Sequence, residues 1–190
     1  MDGEYAIKKA YESILKHDFE QAIVWFEQAI QSNPTCASYH YKLSITYARS
    51  NKLQKAIDHA GQAVKLDSSD EHYRFHLQHL KAKALLFEAE KLFEESDERL
   101  WLAVALLKQA AQMDPLSSEA FLLLGIAYSR LDEYSLAIGA IKDLLKLDPG
   151  HEIGGRLLSE YEMKWKLYMQ RTSQTGVQKE RDLDHGANEN

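Results

Sequence analysis

Three prolines and nine glycines are all that 190 residues contain, and neither type occurs between Gly61 and Pro115. So few interruptions of the hydrogen-bond ladder favour helix along most of the chain. Cysteine is scarcer still: Cys36 stands alone, which excludes an internal disulfide and gives no sign of an oxidising compartment. A lone thiol with no base or positive dipole in its sequence neighbourhood reads as a turn or core residue rather than a nucleophile. No stretch approaches the roughly 18 consecutive apolar residues of a membrane span, and the first residues, MDGEYAIKKAYES, lack the apolar run of a signal peptide. The Asn33-Pro34-Thr35 tripeptide carries proline where it blocks glycosylation. Basic charge is not in excess either. With a net charge of −6, the chain is a poor candidate for nucleic acid or anionic membranes. A cytoplasmic location is the expectation.

What is present is an internal repeat. The plainest copy runs from Phe121 to Pro149: Phe121, Leu124, Gly125 and Tyr128 on one helix, a turn at 131–134, then Ala137, Ile141, Leu144, Leu147 and Pro149 on a second. A step of 34 residues maps Ala137 on Ala103, Pro149 on Pro115, Ala56 on Ala22 and Ala63 on Ala29. Small residues (Gly125, Ser44, Ala137, Ala56, Ala22) mark where paired helices approach, and large ones (Tyr128, Tyr47, Phe26, Ile141) fill the space between pairs. One pair cannot bury both faces, so pairs must stack.

Four units follow, at about 4–34, 37–68, 71–115 and 118–149, within one domain over 1–170. In the first, Ile7, Ala10, Tyr11 and Ile14 fit the leading helix only if its turn is one residue shorter than the pattern. In the third, the spacing from Ser68 to Pro115 is 47 residues, which inserts 13 and predicts one long helix over 71–95. The half with Tyr73, Leu77, Leu80 and Ala84 should pack on the second unit, and the half with Leu85, Ala89 and Leu92 against Ala103, Leu107 and Ala110. A capping helix over 152–169 follows, with Ile153, Leu157, Leu158, Tyr161 and Trp165 on one stripe. Residues 171–190 are polar and lack aromatics, which predicts a disordered tail.

The aromatic-x2-Leu-Gly-x2-Tyr helix, the Ala-x3-apolar helix and the closing proline resemble the tetratricopeptide repeat (TPR) in order and spacing, over roughly residues 4–168. The resemblance implies an all-α superhelix of antiparallel helix pairs and a non-catalytic scaffold, adaptor or co-chaperone-like module. Its leading helices would line a concave wall that grips a partner's peptide or helix.

By that resemblance, candidate groove residues are Lys8, Glu12, Tyr41, Lys42, Ile45, Arg49, Arg74, Gln78 and Lys81, within a wider set of 24 positions. That set holds 8 basic and 3 acidic residues, against about 3 basic and 4 acidic expected from composition. A basic wall on an acidic protein points to a ligand with an acidic stretch or a free C-terminal carboxylate; solvated surface lysines are the plainer reading. The two-carboxylate clamp of some family members needs Lys-x3-Asn, and here Lys8-x3-Glu12 puts an acid in the asparagine's place. In the fourth unit Leu122, Leu123 and Ile126 are apolar at groove positions. Either the capping helix folds over them, or they dock a partner helix or a second copy of the chain.

His72, His76 and His79 share one helical face, but no fourth ligand accompanies them, so a metal site is not expected. His151-Glu152-Ile153-Gly154-Gly155 opens like a zinc-protease motif and lacks the second histidine. No phosphate loop or nucleophile elbow occurs, and no cofactor is implied. The expected function is protein–protein interaction. A self-associating structural subunit and a secretion-type chaperone are the alternatives.

Overall fold

The computed structural model describes residues 3–95 and 97–186. Its helices are α1 (Gly3–Leu15), α2 (Phe19–Ser32), α3 (Ala37–Arg49), α4 (Leu53–Leu66), α5 (Glu71–Glu95), α6 (Leu100–Met113), α7 (Ser118–Arg130), α8 (Tyr134–Leu147) and α9 (Glu152–Gly186). A 3₁₀ turn, Asp97–Arg99, leads into α6. No strand occurs among the described residues. The protein is all-α, and it falls into two compact units where spacing alone reads one array. One unit holds residues 1–87 with 112–114, and the other holds 88–111 with 115–190.

The repeat is written in the backbone as well as in the side chains. Both ends of α1 and α2 recur 34 residues later as the ends of α3 and α4. His17, Asn51 and Asp132 carry the positive φ angles, 59°, 57° and 58°, each just past the end of a leading helix. After each, the next amide reaches back five residues: Asp18 to the Ser13 carbonyl at 3.0 Å, Lys52 to Tyr47 at 2.9 Å and Glu133 to Tyr128 at 2.9 Å. This Schellman-type closure satisfies carbonyls that the helix end leaves open and turns the chain sharply enough for antiparallel pairing.

The first unit is therefore regular, and the shorter turn expected there is absent. Its buried stripe is Ala6, Ala10 and Ser13, while Ile7 and Ile14 are half-buried and Tyr11 is exposed. Size misled the reading. The inward positions of α1 hold small residues, and Ser13 donates to the Lys9 carbonyl at 3.0 Å instead of filling space.

In the first compact unit the core gathers Ala10, Ile23, Phe26, Leu43, Tyr47, Ala56, Ala60 and Leu80, with Leu77 packed against it. Leu77 and Leu80 come from the start of α5, as the long-helix reading requires. Close approach of α3 to α4 is set by Ser44, whose hydroxyl donates to the Ala56 carbonyl at 2.8 Å. In the second unit Ala89, Leu92, Leu100, Ala103, Val104, Leu107 and Ala110 are buried, together with Leu124, Ala137, Ile141, Leu144 and Tyr161. Leu86 joins Leu80 and Leu92 as a buried leucine of α5, while Leu85 is half-buried.

The capping helix does not stop near residue 169. It continues to Gly186, across most of the stretch expected to be a disordered tail, while 187–190 lie outside the described residues. No proline follows Pro149 to end the helix, and Gln, Lys, Glu and Arg are good helix formers.

Candidate functional site

Three of the candidate groove residues, Tyr41, Lys42 and Arg49, all on α3, make contacts that reach α1, α2 and the start of α5. Lys42 of α3 places its ammonium 5.6 Å from the ring centre of Tyr11 on α1. Tyr41, one residue earlier, turns to the other neighbour: its ring lies 4.9 Å from Tyr73 and 5.1 Å, edge-on, from His76, both on α5. At the end of α3 the Arg49 guanidinium lies 4.7 Å from the ring centre of Phe19. Ile45 is half-buried between these positions in sequence, and Lys8 is exposed. In these contacts α3 stands between α1 and α5.

Among the described residues, Lys8, Lys42 and Arg49 have no carboxylate within ion-pair distance. Lys52, by contrast, is paired with Glu20, and Lys9 with Glu12 at 2.7 Å. A cation resting on an aromatic face keeps its charge while its stem is held in place, so less rotamer freedom is lost on meeting an anion.

Other candidates stand apart. Glu12 is taken by Lys9, whose hydrogen bond holds its carboxyl below the usual carboxylate range, with Lys8 and Lys16 acting the same way. Its register also differs from the expectation. Tyr11, not Glu12, lies 34 residues before Ile45, so the aromatic occupies the equivalent position, legible only with the unshifted repeat. Arg74 folds back on the start of its own helix, donating to the Ser68 carbonyl at 2.8 Å and to Glu71 at 3.2 Å. Gln78 and Lys81 are exposed on α5. Phe19 and Tyr73 were missed because an aromatic at helical spacing reads as core.

The three histidines of α5 do not converge. His76 is half-buried, with Nε2 2.9 Å from the Ser44 hydroxyl. That hydroxyl spends its hydrogen on Ala56, so the imidazole is the donor. Burial, and then His79, hold His76 below the ordinary histidine value. His79 instead meets Asp114 at 2.7 Å, and His72 is exposed. No three His, Cys, Asp or Glu side chains come together as a metal site among the described residues.

In the second compact unit, Leu122, Leu123 and Ile126 are half-buried. α9 packs on α8 and reaches α7 through Tyr161, which is 3% exposed and shares a hydrogen bond with Ser129. Exposed apolar surface lies instead on α9 itself, at Ile153, Met163, Leu167 and Met169.

A tetratricopeptide-repeat family model matches residues 16–71 and 99–152, which are α2–α4 and α6–α8 with their edges. The chain belongs to the tetratricopeptide-repeat family. The interval between the two matches is the long α5 with its insertion, and α1 and nearly all of α9 lie outside them. Among solved structures, the chain is similar to a crystal structure of MamA at 17% identity, covering 99% of this chain and 96% of that one, with a TM-score of 0.52. A MamA fragment from Desulfovibrio magneticus RS-1 gives 16% identity, 98% and 97% coverage and 0.53. A MamA RS-1 double mutant gives 15% identity, 99% and 97% coverage and 0.54. At such identities the likeness concerns the fold. No curated protein matches the chain. Tetratricopeptide repeats are protein-interaction modules, and no helix among the described residues is long and apolar enough to cross a membrane.

Proposed function

We propose that the chain is a non-catalytic adaptor whose wall of α1, α3 and early α5 holds an acidic segment, or a free C-terminal carboxylate, of a partner protein. The observation that carries this is the pair Lys42 and Arg49: two cations on one helix, each laid over an aromatic ring, neither paired with a carboxylate of the described chain. Tyr41 and Ile45 supply apolar surface between them. Such a surface selects charge and backbone extension more than a particular side chain. A cytoplasmic setting belongs to the same proposal and rests on the single free thiol.

The test uses labelled decapeptides: one acidic with a free C-terminus, the same peptide amidated, and a basic counterpart. Fluorescence anisotropy should show binding of the acidic peptides only, weakening as salt rises. Lys42→Glu with Arg49→Glu should reduce affinity at least tenfold with helicity unchanged by circular dichroism. Equal binding by the charge-reversed protein removes this wall from the function.

A second reading, self-association as a structural subunit, draws on the exposed Met163 and Leu167, which are 66% and 49% accessible on α9. Sedimentation velocity over a concentration series should then show a dimer that Met163→Glu with Leu167→Glu dissociates. A concentration-independent monomer ends that reading.

A further inference from the structure

His40 opens α3 and His59 lies in α4, and their Nδ1 atoms are 3.0 Å apart. The ring centres are 5.3 Å apart and the planes differ by 25°. Centre spacing exceeds nitrogen spacing by about a ring's width, so the rings meet edge to edge with the nitrogens aimed at each other. A third point at which both lone pairs could hold a metal is therefore not offered. Such a contact works only with one proton between the nitrogens. Nε2 of His40 is 3.2 Å from the Pro34 carbonyl, which can only accept, so Nε2 carries the hydrogen. Nδ1 of neutral His40 is thus the acceptor, and Nδ1–H of His59 is the donor.

We propose that this imidazole bridge is an acid-operated latch on the α3–α4 pair, holding through one added proton and opening at the second. One added proton leaves the bridge intact, because whichever ring takes it, a single hydrogen still lies between the two Nδ1 atoms. A second would set two N–H groups against each other, on two cations, one of them the 9% exposed His40.

The surroundings do not supply a compensating charge for both. Glu27 from α2 and Asp58 from α4 favour a charge on His59, whereas burial, His40 and Lys55 oppose it and outweigh them. Tyr47 of α3, whose ring centre is 5.5 Å from that of His59, commits its hydroxyl to Glu27 at 2.6 Å. The turn contributes the Pro34 carbonyl, already engaged.

In the unfolded chain both histidines charge below about pH 6.5. The folded pair then lags by at least one proton, so its unfolding constant rises about tenfold for each pH unit below that value. Opening the latch loosens the helix that carries Tyr41, Lys42, Ile45 and Arg49. Only this last consequence rests on the function proposed above; the stability claim stands whether or not the wall binds a peptide.

The test compares the full chain with His59→Gln. A glutamine amide can donate to neutral His40 through its nitrogen or accept from protonated His40 through its oxygen, so the barrier to protonation disappears. Protection of α3 and α4 amides from hydrogen exchange, corrected for intrinsic rates, is followed from pH 7.5 to 5. Wild type should lose about tenfold more protection per pH unit below 6.5 than the variant; parallel curves overturn the proposal. Should the variant fail to fold, nitrogen NMR of the wild-type rings decides. At pH 7.5 His59 should carry its proton on Nδ1 and His40 on Nε2, with no more than one ring charged in the folded protein at pH 5.5. Both rings charged, or both protonated on Nε2 at pH 7.5, overturns the latch.

Discussion

A Cβ on Gly125 would lie 2.5 Å from Cδ1 and 2.7 Å from Cγ1 of Ile141, a side chain with no exposed surface. A Cβ on Gly139, two residues before that same isoleucine, would meet nothing within 4 Å. The two glycines therefore do opposite things. Gly125 lets α7 approach α8, and Gly139 only weakens its helix. Gly125→Ala should lower stability by about 1–3 kcal/mol through overpacking, with Ile141→Val in the same chain recovering part of the loss. Gly139→Ala should raise stability by about 0.5–1 kcal/mol, the helix-propensity gain alone. Urea midpoints of the three variants check both signs. The sequence marks Gly125 as a contact residue through its place in the repeat, whereas Gly139 has no place in the pattern.

At the scale of the element, regular spacing makes most helix bounds legible, and residue size makes one register illegible. Ile7, Tyr11 and Ile14 look like the inward stripe of α1 because they are large, yet Ala6, Ala10 and Ser13 are the ones buried. Only the turn closure repeated at His17 and Asn51 fixes the register, and that is a backbone property. The same one-residue shift hid Tyr11 from the candidate wall. For α9 the inward stripe was readable from Leu157 to Trp165 around the buried Tyr161, although Ile153, expected on it, is exposed; its length was not, because nothing in a polar helix former says where to stop. Tyr161 should anchor α9. Tyr161→Ala is expected to cost about 3–5 kcal/mol by analogy with other buried aromatics. Tyr161→Phe, which loses only the bond to Ser129, should cost about 1 kcal/mol. Similar losses from both variants, by urea unfolding, would mean that the hydroxyl rather than the ring seats the helix.

Across the whole molecule the titratable groups are unevenly placed. His59 and His76, both in the first compact unit, are held below the ordinary histidine value of 6.5, each by burial first. A depressed histidine means that the folded unit binds fewer protons than the unfolded chain. Its stabilising effect is therefore complete above about pH 6.5 and is lost as pH falls toward the lowered value. In the second unit His151 has an exposed helix start for its surroundings, and its Nδ1 accepts from the Gly154 amide at 3.0 Å. Four buried or half-buried tyrosines behave differently, being raised in both units: Tyr47 and Tyr73 in one, Tyr128 and Tyr161 in the other, with burial the first cause in each. A raised tyrosine keeps its proton in the folded state, so stability falls as pH rises above about 10. Acid should thus act on one unit and alkali on both. Urea titrations read residue by residue from amide NMR signals, at pH 7.5 and 5.5, should show the midpoint of α2–α4 falling while that of α7–α8 holds. Removing His59 and His76 together should abolish the difference. If both units shift equally in acid, the titrating groups that matter are carboxylates spread over the molecule, and the uneven placement of the buried imidazoles has no consequence for stability.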